Sequence, residues 1–345
     1  MDLSRLAAWS DVLLLRGFRM TRRSRTVVLL GAQRIDPSLG DAVAALDVKG
    51  KIAIVTAGWQ EREPEDEELS AHLGGRTINL SLHARADEVF RSDPELASAY
   101  RERQQLFLQR QDFYRIRLEH ALEADHVIRQ RRAPSAVLDE EAKVSLEAIR
   151  ALDEWHLERC RELHRAFEAR WELAGRRAIE RHRRELAEII GVCDAIAIAG
   201  GHVATLVNRL SLFGIETMVD DRPVFAWSGG AMAICDRIVL FHDDPPQGPG
   251  ASEVLDVGLG FASGVVVLPS PEQRLRLERA ERVASLVRRF APARCLALPA
   301  RAHFTWREGR ALAATDVIEL RDNGEHGPFV PSAAPAAPNA QGATS

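Results

Sequence analysis

Apolar residues run along this chain in two rhythms, and the switch between them predicts its layout. Residues 26–30 (TVVLL), 52–56 (IAIVT) and 77–82 (TINLSL) are short apolar or near-apolar runs, the first closed by Gly31. Unbroken runs suit strands of a parallel sheet covered on both faces, whereas strict alternation suits a half-solvated sheet. From residue 85 to about 190 the composition changes to Arg, Glu, Gln, Leu and Ala, with almost no glycine. Asp93-Pro94-Glu95 is a helix start, with Ser92 or Asp93 capping and proline in the first turn. Beyond it Tyr100, Phe107, Tyr114, Ala121 and Ile128 recur every seven residues, joined by Leu118 and Leu122, which predicts a helix with one apolar stripe. Ala133-Pro134-Ser135 breaks that helix. A second, starting near Asp139, is expected to carry Leu152, Trp155, Leu163, Phe167, Trp171 and Ala174 on one side, with a bend at Gly175.

Two long helices joined by a short turn pack antiparallel, and each arm can reach roughly 50 Å. Such a hairpin serves either as an arm for a second copy or another protein, or as a cap over the sheet. After it the strand rhythm returns at 194–199, 223–227, 236–241, 254–257, 265–268, 295–298 and 316–320, with an Arg-rich helix expected over 271–290. Strands and helices in this succession predict an α/β fold with a doubly wound, mainly parallel sheet.

The bulk numbers narrow the partners. The chain has 345 residues, 28% of them charged, and a net charge of -4, which offers no general attraction to nucleic acid or an anionic membrane. No apolar run approaches the roughly 20 residues that span a bilayer. Residues 1–25 form a poor signal peptide, with Asp2 and Asp11 in the way, and Met20 is an alternative start. Cys160, Cys193, Cys235 and Cys295 are scattered without ligand spacing, so structural thiols in a cytoplasmic protein are expected, with no metal and no cofactor. Gly258-Leu259-Gly260 lacks the third glycine of a dinucleotide fingerprint.

Candidate chemistry centres on Ala226-Trp227-Ser228-Gly229-Gly230-Ala231, which follows one predicted strand and precedes a helix-like run. A serine between small residues at such a turn is thrust outward, and the backbone N–H groups beyond it can face an oxyanion. A plain glycine turn has the same look. Gly200-Gly201-His202 ends the preceding strand, so in a parallel sheet both turns open at one edge.

A strand ending in Gly-Gly, then a serine elbow, then a Gly-Leu-Gly turn: this order resembles peptidase family S51, the cyanophycinases and aspartyl dipeptidases, whose fold is class I glutamine amidotransferase-like. The family's Gly-Gly-Asn-Gln falls on Gly200-Gly201-His202-Val203 and its Gly-x-Ser-Ala-Gly-Ala elbow on residues 226–231. Its Gly-Leu-Gly turn and strand fall on residues 258–267, and its arginine helix on Arg274, Arg276 and Arg279. The match spans about a third of the chain. The resemblance implies Ser228 as nucleophile and an oxyanion pocket at Gly200, Gly201, Gly229 and Gly230. Ser270 stands where that family carries its catalytic histidine, and Ala300 or Pro299 where it carries the acid. A serine hydroxyl is a weak nucleophile without a base.

Three readings follow. The first is a non-catalytic or weakened S51-like domain that binds a small peptide or amide. The second is an active serine hydrolase whose base is His202, His242 or His303, with Arg274 and Arg276 holding a substrate carboxylate or simply solvated. The third is a scaffold that pairs as a homodimer, or with another protein, through the hairpin. The expected layout is an extension over 1–25, core over 26–84, helical insertion over 85–190, core again over 191–322, and a disordered tail over 323–345.

Overall fold

The computed structural model describes residues 25–243 and 250–331; the expectations for the N-terminal extension and most of the tail lie outside them. The fold is mixed α/β with a mainly parallel central sheet and a long helical region. Five parallel strands form the sheet's body: β1 (Thr26–Leu30), β2 (Lys51–Val55), β3 (Thr77–Asn79), β4 (Cys193–Ile198) and β5 (Val224–Trp227), in the spatial order β1-β5-β4-β2-β3. Their apolar runs are continuous because both faces are covered. Val27, Leu29, Ile196, Ile198, Val224 and Ala226 enter one core; Val28, Leu30, Ala195, Ala197, Phe225 and Trp227 enter the other.

The second core lies under α1 (Leu39–Ala45) and α2 (Glu67–His72), which carry the chain from β1 to β2 and from β2 to β3. The way back, β3 to β4 to β5, crosses the first core, through α3 (Leu82–Ser92), α4 (Pro94–Arg129), α5 (Ser135–Trp171), α6 (Arg177–Gly191) and α7 (Val203–Phe213). Opposite directions of travel on opposite faces are what right-handed crossovers require.

The later strands divide differently from the sequence expectation. After α8 (Gly229–Ala233), β6 (Arg237–Leu240) and β7 (Glu253–Val257) form their own antiparallel pair. β8 (Val265–Pro269) and β9 (Arg294–Leu298) pair in parallel in a second sheet, completed by β12 (Ile318–Leu320) and β13 (His326–Pro328). The central sheet is extended instead by the hairpin β10 (His303–Arg307) and β11 (Arg310–Thr315), antiparallel to β1. Disorder from residue 323 is corrected by β13: Phe329 is buried beneath the Arg294 guanidinium, an apolar anchor in an otherwise polar stretch.

The Arg-rich helix is two pieces, α9 (Pro271–Arg274) and α10 (Ala280–Phe290). Between them Leu275 is extended, and Leu275 and Leu277 both lean on the core, a spacing of two that a helix cannot provide.

α4 and α5 form the antiparallel hairpin. Asp93 caps α4 by accepting from the Leu96 N–H, with Pro94 in the first turn. Tyr100 meets Phe167 edge-on at 4.8 Å, and Tyr114 stacks on His156 at 4.1 Å. The α5 stripe is rotated from the expected one: Trp155 is 46% exposed and Ala174 lies beyond the helix, while Asp153, His156, Leu157 and Cys160 face inward. Hydrophobicity could not show this, because two of the inward residues are polar. Asp153 accepts from the Tyr114 hydroxyl at 2.7 Å and from Arg289 Nε and Nη2, both at 2.7 Å. Arg289 belongs to α10, and it also donates to the Ser252 carbonyl before β7. The hairpin is thereby tied to the core through a buried, fully hydrogen-bonded ion pair. All four cysteines are buried and free, and burial pushes the Cys160 and Cys295 thiols up to about 12. Among the described residues no helix is long and apolar enough to cross a membrane.

Candidate active site

β4 and β5 are hydrogen-bonded neighbours in parallel register, Ile198 opposite Ala226, so the turns that follow them emerge side by side. Ser228 is the first residue past β5 and has φ 51°, ψ -126°, a conformation costly for a residue with a Cβ. This puts the side chain at the end of β5, with α8 starting immediately behind it, in a tight strand-to-helix turn. Two glycines make room. A Cβ on Gly200 would sit 2.6 Å from Ser228 Cβ, and one on Gly230 would sit 2.3 Å from the Ile198 carbonyl oxygen. Gly201 has φ +105°, its neighbour His202 donates its N–H to the Gly58 carbonyl at 2.7 Å, and so the loop after β2 joins the same rim. Gly229 lies against the Gly201 carbonyl. Ser228, Gly200, Gly201, Gly229 and Gly230 therefore form one cluster.

The candidate bases do not complete it. Among the described residues no side chain hydrogen-bonds the Ser228 hydroxyl, which is half-buried. His202 is spent as the cap of α7: its Nδ1 accepts from the Thr205 N–H at 3.2 Å and meets Thr205 Oγ1 at 2.8 Å. His303 opens β10 opposite Leu30, and Leu30 pairs with Trp227, so it lies on the same edge but two strands from the elbow. Two strand spacings are roughly 10 Å. Its Nε2 meets Thr305 Oγ1 at 3.1 Å, and burial holds the ring below its ordinary pKa, hence neutral near pH 7. His242 follows β6, outside the central sheet, and its Nδ1 is buried without a partner. Asp243 does not orient it; the carboxylate accepts from the Arg276 N–H at 2.7 Å and from Arg282 at 2.8 Å.

The positions where the S51 resemblance expects a base and an acid are neighbours with no ionisable group. Ser270, in left-handed conformation at the end of β8, donates its N–H to the Leu298 carbonyl at 3.1 Å. Ala300 is exposed beside Pro299, whose carbonyl lies so close to Gly31 that no Cβ could stand there. Arg274 and Arg276 do not share a helix face. Arg274 ends α9 with its guanidinium 5.9 Å from the Phe241 ring, and Arg276 lies in the extended link.

Sequence reasoning missed Gln60. Its φ 58°, ψ -122° nearly duplicates Ser228, and its amide donates to Thr205 Oγ1 at 3.3 Å, next to the His202 cap. Only a backbone that interrupts the short 3₁₀ segment 57–62 reveals it. Among the described residues no group of three or more His, Cys, Asp or Glu is placed to hold a metal ion.

No family model matches this sequence, and no curated protein does. Among solved structures the chain is similar to the crystal structure of a peptidase from an acI-B1 Actinobacterium, at 13% identity and a TM-score of 0.44. The likeness covers 89% of this chain and 98% of that one. At that level it assigns neither a family nor a chemistry.

Proposed function

We propose that this protein is a serine-elbow α/β domain of S51 peptidase type that binds a small peptide or amide at the Ser228 rim without efficient turnover. The observation that carries the reading is the strained Ser228 backbone packed against Gly200, with no base hydrogen-bonded to its hydroxyl among the described residues. A rim of glycine backbone lets a ligand approach closely, and the start of α8 faces the same space. Without a histidine and its orienting acid, a serine of this geometry keeps only what oxyanion donors and binding supply.

A fluorophosphonate probe tests this. The expected result is no labelling of Ser228 above that of Ser228→Ala. Rapid wild-type labelling that is lost in Ser228→Ala, and lost again in His202→Ala, His242→Ala or His303→Ala, would show a working base and replace this reading with an active serine hydrolase.

A second reading is favoured by the outer face of the hairpin. Leu106, Phe113 and Val127 on α4, spaced by multiples of seven with Ile116 beside them, are exposed, as are Val137, Val144 and Trp155 on α5. The Arg117 guanidinium lies 5.0 Å from the Trp155 ring, so the stripes of α4 and α5 border one another. Apolar residues at heptad spacing on both arms suit a second hairpin laid against the first, as a four-helix bundle. On this reading the protein is a homodimer whose hairpins form the contact.

A further inference from the structure

A second site lies where the hairpin meets the core. α4 supplies Arg103, Phe107 and Leu108, α5 supplies His164, α7 supplies Asn208, and β7 supplies Asp256 to a small, partly open cleft of about 70 Å³. The enclosed part is smaller than a drug-sized site, so the ligand that fits is small and lies partly in the mouth. Most of its lining is apolar, with amide and hydroxyl groups from Gln104, Asn208 and Ser211 at intervals.

Arg103 is out of place in such a lining. It is only 8% exposed, and among the described residues no carboxylate pairs with it. Its Nη2 donates to His164 Nδ1, and its Nε is buried with no partner. The acid in the lining is engaged elsewhere: Asp256 accepts from His164 Nε2 with both oxygens at 3.0 Å, and from the Val257 N–H at 2.8 Å. The guanidinium rests on aromatic rings, 4.8 Å from Phe167 and 5.4 Å from Phe107. Rings ease the burial of a cation but satisfy none of its N–H donors. An anion in the cleft cannot reach the buried Nε, but it would offset the cost of burying a guanidinium charge that no carboxylate pairs with.

We propose that this cleft binds a small carboxylate with an apolar body, its carboxylate on Arg103 and its body along Phe107 and Leu108. Carboxylate rather than phosphate follows from the single guanidinium and the short apolar walls, since a dianion would meet one cation and the acidic Asp256. The site does not depend on the chemistry of Ser228. It is built from the hairpin, so the inserted helices act as one wall of a binding cleft.

The test is calorimetric titration of the full chain with 3-phenylpropionate, with 3-phenylpropanamide and inorganic phosphate in parallel. The expected outcome is measurable binding of the carboxylate, weakened about tenfold or more in the neutral amide, as loss of a charge-assisted hydrogen bond implies. Arg103→Met keeps the stem on its rings and should weaken the carboxylate by a similar factor. Leu108→Trp, at an exposed position on the rim, should block entry without touching the fold. Equal binding of acid and amide by the wild type would overturn the proposal. So would carboxylate binding that survives Leu108→Trp, phosphate binding that exceeds it, or no carboxylate binding at 10 mM, about the weakest range a built site should show.

Discussion

Removing Asp153 should cost this protein more than removing any surface ion pair. The carboxylate is 1% exposed and its partner Arg289 5%, and the two share a bidentate contact at 2.7 Å. In Asp153→Ala, Arg289 keeps only the Ser252 carbonyl and the Tyr114 hydroxyl, and Tyr114 loses its acceptor. A buried charge stripped of its partner costs about 3–5 kcal/mol. With about 2.1 cal/mol/K of unfolding entropy per residue, a chain of this length shifts roughly 1.5 °C per kcal/mol, so the melting temperature should fall by about 4–8 °C. Arg289→Met should cost a similar amount, because it strands the carboxylate instead. The double variant Asp153→Ala, Arg289→Met buries no charge and should be much less damaged than the sum of the singles. Urea unfolding of all four proteins, followed by circular dichroism, measures the cycle. An Asp153→Ala cost under about 1 kcal/mol, or additive single costs, would refute the claim that this pair fastens the hairpin.

Two further outcomes are expected. Burial lowers the pKa of His156, so between its folded value and the ordinary 6.5 or so the unfolded chain holds a proton that the folded chain does not. Stability then rises with pH in that window and is lost on acidification. Relative to His156→Gln, the wild type should lose ground between pH 7.5 and 5, and a constant gap would count against it. For the hairpin contact, light scattering on a sizing column should show a wild-type dimer. Phe113→Glu and Trp155→Glu should give folded monomers, both side chains being exposed in the single chain; a monomeric wild type ends that reading.

The parallel body of the sheet was legible because full burial writes itself as unbroken apolar runs, such as residues 26–30 and 194–199. The hairpin was legible from its sevenfold repeat and from Asp93-Pro94. What escaped was set by contacts distant in sequence. Residues 303–315 form an edge hairpin on β1 that gives no burial period of its own, since its outer strand is largely exposed. Asp153 looks like surface until Arg289 and Tyr114, 136 and 39 residues away, are brought against it. At the rim, the sequence placed Ser228 and its glycines at one sheet edge, while His202 caps α7, His303 lies two strands away and His242 lies outside the central sheet.

The shape of the turn at Ser228 does not depend on catalysis. Gly200 abuts Ser228 Cβ and Gly230 abuts the Ile198 carbonyl, so the backbone of two adjacent parallel strands fixes the turn whatever lies beyond it. What that packing does not explain is a serine at φ 51°. Glycine would adopt this conformation without the roughly 1–3 kcal/mol that a side chain costs there. Gln60 carries the same strain one loop away, and a glycine would relieve it as well. Two strained polar side chains on one rim, each replaceable at no steric cost, are better explained by what they touch than by how they fold. On the proposed reading, that hydroxyl and that amide offer a ligand hydrogen-bond donors and acceptors at the rim.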